Sequence, residues 1–140
     1  QETGTDWIQN LFLTDSPLAC ATLGLIEVMA TLARKHKSGE IEAALFEQKT
    51  QELQEDWAHF VQIQFVTETV ERAKQIAKER ALRGADAIHF AAASILRNRL
   101  QPDDQLFLVT SDHELINAAE SAGISVIDPT KQQTQITQSE

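Results

Sequence analysis

Three acids in this chain of 140 residues, Glu27, Asp86 and Asp112, stand where a parallel α/β sheet would collect them. Glu27 falls in the first turns after the apolar run 18–22. Asp112 follows closely on Phe107-Leu108-Val109-Thr110. Asp86 opens a segment of small apolar residues that reads as a helix. Ligands of open α/β sheets bind beyond the carboxyl ends of the strands. Carboxylates gathered there repel one another unless a cation lies between them. Oxygen donors with water as co-ligand suit Mg²⁺ or Mn²⁺. Such a site lowers the pKa of a bound water and steadies the oxygens of an in-line phosphoryl displacement. Each acid also has a plainer explanation, because a carboxylate near a helix N-terminus stabilises the helix dipole by about 0.3–1 kcal/mol. Position alone leaves both explanations open.

The elements that must hold these acids follow from hydrophobic period and turn chemistry. Residues 6–13 predict a short helix, with Trp7, Ile8 and Leu11 on one face. Thr14-Asp15-Ser16-Pro17 is a turn, and 18–22 a short buried strand. A helical period runs from Leu23 to the basic stretch Arg34-Lys35-His36-Lys37, with Gly39 as the break. A second helix over 40–57 completes an αα-hairpin. Val61, Ile63 and Phe65 alternate with polar neighbours, which predicts a half-buried strand. Thr67 precedes a helix containing Val70, Ala73 and Ile76. Leu82-Arg83-Gly84 is a loop, and 85–97 a closely packed helix. A strand over 106–109 leads to a helix that Ser111 and Glu114 would open as a capping box. That helix ends near Gly123. A last strand, 124–127, stops at Asp128-Pro129. Residues 131–140 form a polar tail, disordered or an exposed arm. Strands alternating with helices, with no linker and no repeat, predict an α/β fold: one three-layer domain over 1–130 with a mainly parallel sheet flanked by helices.

Composition narrows the function classes. The net charge of −9 argues against holding nucleic acid through a broad basic surface. It leaves room for an enzyme that meets phosphate through bound cations. No apolar run approaches the ~20 residues of a membrane span, and no secretion leader is visible at the N-terminus. One cysteine, Cys20, excludes an internal disulfide and a cysteine-based zinc site. Within Leu18-Ala19-Cys20-Ala21 it reads as a buried structural thiol in a cytoplasmic protein.

Two segments carry a resemblance. Leu82-Arg83-Gly84-Ala85-Asp86-Ala87-Ile88-His89-Phe90-Ala91 and Leu108-Val109-Thr110-Ser111-Asp112-His113-Glu114-Leu115 closely resemble, in this order, two motifs of PIN-domain ribonucleases of the VapC toxin type. Gly123-Ile124-Ser125-Val126-Ile127-Asp128-Pro129 is similar to that family's closing segment. The helix around Glu27-Val28 is similar to its first acidic helix. The likeness covers roughly residues 1–130. It implies a parallel sheet flanked by helices and metal-dependent cleavage of RNA by metal-bound water. It assigns Glu27, Asp86 and Asp112 as metal-holding and catalytic residues for Mg²⁺ or Mn²⁺, and Thr110, Ser111 and Arg83 as substrate-lining. It further implies a homodimer and a small protein antitoxin as partners. Two departures stand out. Gly24 replaces the Thr or Ser of many relatives. The family's first, central strand, whose Asp is a principal ligand, has no counterpart in the chain as given, and neither Asp6 nor Asp15 replaces it. The alternative reading is that the chain, without that ligand, is an inactive truncated fragment or a non-enzymatic PIN-like binding module.

The remaining candidates are weaker. His89 shares a helix face with Asp86 and is either a neighbour of the metal or a packed structural histidine. His113 could touch substrate but reads as exposed. His36 and His59 show no convincing partner. Trp7 and Trp57 read as core or interface anchors. Arg83 could meet phosphate or pair with a nearby acid. A phospho-acceptor receiver domain is also doubly wound and acidic at its sheet edge. It would need a lysine after a late strand, and the only late lysine, Lys131, lies in the polar tail.

Overall fold

A computed structural model describes residues 2–132. All but the first two residues of the expected tail therefore lie outside the described residues. The element order is α1 (Thr5–Phe12), β1 (Ala19–Ala21), α2 (Thr22–Lys37), α3 (Ala43–Trp57), β2 (Val61–Ile63), α4 (Thr67–Arg80), α5 (Gly84–Arg99), β3 (Phe107–Val109), α6 (His113–Ser121) and β4 (Ser125–Ile127), followed by a 3-10 turn, Pro129–Lys131. The α/β class stands. The described strands pair in parallel, as expected, but as two two-stranded sheets, β1–β2 and β3–β4. The chain divides into two compact units. One is Pro17–Leu96; the other is the described part of Gln1–Ser16 with Arg97–Glu140. Among the described residues no helix is long and apolar enough to cross a membrane.

In the unit Pro17–Leu96, β1 and β2 run parallel in the register Ala19↔Val61, Cys20↔Gln62, Ala21↔Ile63. Parallel neighbours need a crossover, and the α2–α3 hairpin supplies it. The hairpin turns where Ser38 caps α2 and Gly39 takes a left-handed φ of 79°. The Glu40 N–H then bonds back to the Lys35 carbonyl at 2.9 Å, satisfying an end carbonyl that the helix leaves open. Arg34, Lys35, His36 and Lys37 crowd the last turn of α2, where positive charge complements the dipole. The Thr22 hydroxyl donates to the Ile63 carbonyl at 3.1 Å, tying the first residue of α2 to the end of β2.

Burial in this unit concentrates on α4 and α5. Thr69, Ala73 and Ile76 are buried on α4. Ala87, Phe90, Ala91, Ala92, Ser94 and Ile95 are buried on α5, spaced three and four apart as one helix stripe requires. The expectation for β2 needs correction. Val61 is 46% exposed and Phe65, beyond the strand, 55%. β2 is an edge strand of a two-stranded ladder, and alternation marks a buried face only where something covers it. The buried hydroxyl of Thr69 instead bonds the Gln64 carbonyl at 2.7 Å, turning the chain from β2 into α4.

In the other unit, β3 and β4 are parallel in the register Phe107↔Ser125, Leu108↔Val126, Val109↔Ile127. Helix α6 crosses between them and buries Leu115, Ile116, Ala118 and Ala119. Its start differs from the expected capping box. Asp112, not Ser111, is the N-cap, and its side chain accepts the Leu115 N–H at 2.9 Å. A carboxylate one residue further on satisfies the same orphan donors, and its charge suits the dipole. Gly4, with φ 92°, sits against the Pro129 carbonyl, where an added Cβ would come within 2.8 Å of the oxygen.

Phe90, 1% exposed, is the largest fully buried side chain among the described residues. Replacing it with alanine is expected to cost about 3–5 kcal/mol. Urea unfolding followed by circular dichroism would measure the loss; a cost under about 1 kcal/mol would show that α5 is not buried as described.

Candidate functional site

Glu27 and Asp86 belong to the same unit and are carried by different helices. Glu27 lies in the second turn of α2, which begins directly at the carboxyl end of β1. Asp86 lies in the first turn of α5. What joins them is His89. Its Nε2 is 2.6 Å from Glu27 Oε2, across 62 residues of sequence. A carboxylate only accepts, so the shared hydrogen belongs to Nε2. Asp86 and His89 are one helical turn apart, on neighbouring positions of one face. The contact therefore ties Glu27 to α5 one helical turn from Asp86.

Each acid already has a partner. Arg83 Nε donates to Asp86 Oδ2 at 2.8 Å. The Asp86 side chain is 15% exposed and that of Arg83 71%. Arg83, expected to line substrate, is thus placed as the ion-pair partner of Asp86. The Glu27 side chain is more open, at 46%, and among the described residues its Oε1 takes no hydrogen bond.

Gly24 and Cys20 form the floor beside this pair. A Cβ on Gly24 would overlap the Cys20 sulfur and would lie 3.7 Å from His89 Cε1. Glycine at this position has a physical reason: the cysteine thiol fills the space that a side chain would need. Cys20 is half-buried rather than buried. Burial pushes its thiol up, and the charge of Glu27 adds to the effect. A thiol held in its neutral form is a poor nucleophile and a poor metal ligand.

In the other unit, Thr110, Ser111 and Asp112 follow β3. The Thr110 N–H bonds the Ile127 carbonyl at 3.1 Å, extending the ladder. Its hydroxyl accepts the Asp112 N–H at 3.2 Å. Ser111 and His113 are exposed. Asp112 caps α6 through Oδ1. Asp128 follows β4 and is 8% exposed. It accepts from the Thr130 hydroxyl at 2.7 Å and the Thr130 N–H at 3.0 Å. The Thr130 hydroxyl, with Lys131 beside it, holds the Asp128 carboxyl below the usual range. Lys131, which a receiver domain would need at its active edge, lies 3.4 Å from Asp128.

Among the described residues no group of three or more His, Cys, Asp or Glu side chains is gathered so as to hold a metal ion. The donor chemistry of Glu27 and Asp86 nevertheless suits a hard cation, since Mg²⁺ is commonly held by one or two carboxylates and otherwise by water. Sequence reasoning placed His89 beside Asp86 but missed Glu27 as its partner, because periodicity reports faces and not which distant face is opposite. It also left His36 and His59 without partners. His36 Nδ1 lies 3.1 Å from the Ile41 carbonyl and its ring stacks on Phe46 at 4.9 Å; His59 Nδ1 lies 2.9 Å from the Glu55 carbonyl. Trp57 stacks on Phe60 at 5.7 Å, as a packing residue would.

The fit of Cys20 over Gly24 can be tested by a double-mutant cycle. Gly24→Ala is expected to destabilise by about 1–3 kcal/mol through overpacking. In a Cys20→Ala background the same change should cost less than half as much, because the sulfur is the obstacle. Equal costs in both backgrounds, read from urea unfolding, would contradict the packing. No protein-family model matches the chain, and neither a curated protein nor a solved structure matches it.

Proposed function

We propose that this chain is a Mg²⁺- or Mn²⁺-dependent endoribonuclease, with a PIN-like fold, resembling the toxin of a toxin–antitoxin pair. The observation that carries the reading is the His89–Glu27 contact, which ties Glu27 to α5 one helical turn from Asp86. Glu27, on the helix that begins at the carboxyl end of β1, and Asp86, in the first turn of the helix that follows α4, are the two carboxylates that the motif resemblance would ask of this unit. Glu27 and Asp86 would hold the cation. Asp112, in the other unit, has a metal-holding role by its motif alone. A bound Mg²⁺ or Mn²⁺ supplies an activated water and neutralises charge on the phosphodiester.

The chain's own residues have definable parts in this reading. Glu27 offers Oε1 while His89 keeps Oε2. Asp86 is oriented by Arg83, whose exposed guanidinium could exchange its carboxylate partner for an RNA phosphate. The same reading takes a small protein antitoxin as inhibitor, a homodimer as the assembly and the cytoplasm as the compartment.

One observation favours a second reading, a non-enzymatic binding module. Arg83 and His89 already partner both acids without a cation. RNA cleavage separates the two. The chain, preceded by a strand ending in aspartate, is expected to cut single-stranded RNA only with Mg²⁺ or Mn²⁺. Asp86→Asn should slow it on the order of 10²–10³-fold. No cleavage with either metal, or undiminished cleavage by Asp86→Asn, would favour the binding module.

A further inference from the structure

We infer that His89 is a positioning residue for Glu27: it holds Glu27 Oε2 by its Nε2–H and so aims the other carboxylate oxygen, Oε1, at the N-terminal end of α5. This deepens the proposed function and rests on it. Neither the period of α5 nor the motifs assign His89 a partner. The contact does, because it joins α2 and α5 through two side chains that are otherwise far apart in sequence.

Three features support a positioning role over a merely packed histidine. First, Glu27 is on a helix with no fully buried residue, and its side chain is nearly half exposed. A free glutamate on such a surface samples many rotamers, and fixing it otherwise costs side-chain entropy that a short charge-assisted bond offsets. Second, the His89 side chain is 25% exposed and is carried by α5 next to the fully buried Phe90. The ring is therefore carried by the more deeply buried of the two helices. Third, the space beside the ring is shaped for it. A Cβ added at Gly24 would come into van der Waals contact with Cε1, and the Cys20 sulfur fills the place where a side chain at 24 would sit. A larger residue there would displace either the thiol or the imidazole.

A carboxylate oriented by a neighbour's N–H is a common support for metal binding, and removing such support typically costs about 10–100-fold in metal affinity. The assignment therefore predicts two independent results for the 140-residue chain at fixed pH. Without metal, the long-range ¹H–¹⁵N spectrum of the imidazoles should show His89 as the Nε2–H form, with an exchange-protected proton. Glu27→Ala should abolish that protection. With Mn²⁺ as the probe, His89→Ala should weaken binding about 10–100-fold, and His89→Gln, whose amide can still donate, should recover much of the loss. Circular dichroism of each variant confirms that it is folded, and the glutamine variant and the metal-free spectrum carry the test if the alanine variant is not. An unprotected His89 proton overturns the contact. Mn²⁺ affinity unchanged in His89→Ala or unrescued in His89→Gln overturns positioning while leaving the metal reading in place. No Mn²⁺ binding by the unmodified chain overturns the metal reading and, with it, the role assigned to His89.

Discussion

Helix α5 buries Phe90, Ala91 and Ala92 almost completely, while its first turn and His89 remain within reach of solvent. That division of one helix is the constraint on which the candidate site depends. A stripe of small side chains lets other backbone approach closely, and close packing fixes the axis and rotation of the helix. The polar residues at its N-terminal end then have defined positions. Asp86 and His89 inherit theirs from the buried stripe, and Glu27 inherits its own from His89. Precision passes from apolar packing to a single short hydrogen bond. The more exposed helix α2 is aimed by the more buried α5.

The acids illustrate how little one local role says about another. Asp112 caps α6, and Asp128 caps the 3-10 turn that follows β4. Both sit just past the carboxyl ends of parallel strands, where the backbone turns into a helix and leaves N–H groups unpaired. Glu27 makes no such cap. Its partner is a side chain 62 residues away, and a helix-end explanation does not account for it. Asp86 lies between these cases: it is in a first turn, where the dipole favours it, yet its oxygen is taken by Arg83. Among the acids singled out by position, Glu27 is therefore the one whose geometry departs most from ordinary helix chemistry.

Much of the fold was legible in the sequence because it is written in local rules. Helix bounds followed from period and from Gly39 and Gly123, both of which take positive φ. Parallel pairing followed from the alternation of strands with helices. Failures came where a choice depends on what lies opposite. Ser111 and Asp112 both qualify as caps, and only backbone geometry selects Asp112. Val61 and Phe65 alternate like a buried face, but both are exposed. Ala81, the C-cap of α4, adopts φ 54° without being glycine, a conformation no propensity rule would assign to it. The candidate site divides the same way. Its residue types were legible from motifs and positions, whereas the His89–Glu27 contact and the Cys20–Gly24 fit are long-range or steric facts that period cannot carry.

The central claim is that Glu27 and Asp86 can share one cation at the N-terminal end of α5. Paramagnetic broadening by substoichiometric Mn²⁺ tests it most directly, since the effect falls steeply with distance from the ion. The account predicts that the resonances of Glu27, Asp86 and His89 broaden first and together. Broadening that begins instead on the acid-rich helix α3 around Glu55 and Asp56, or that affects Glu27 without Asp86, would contradict it.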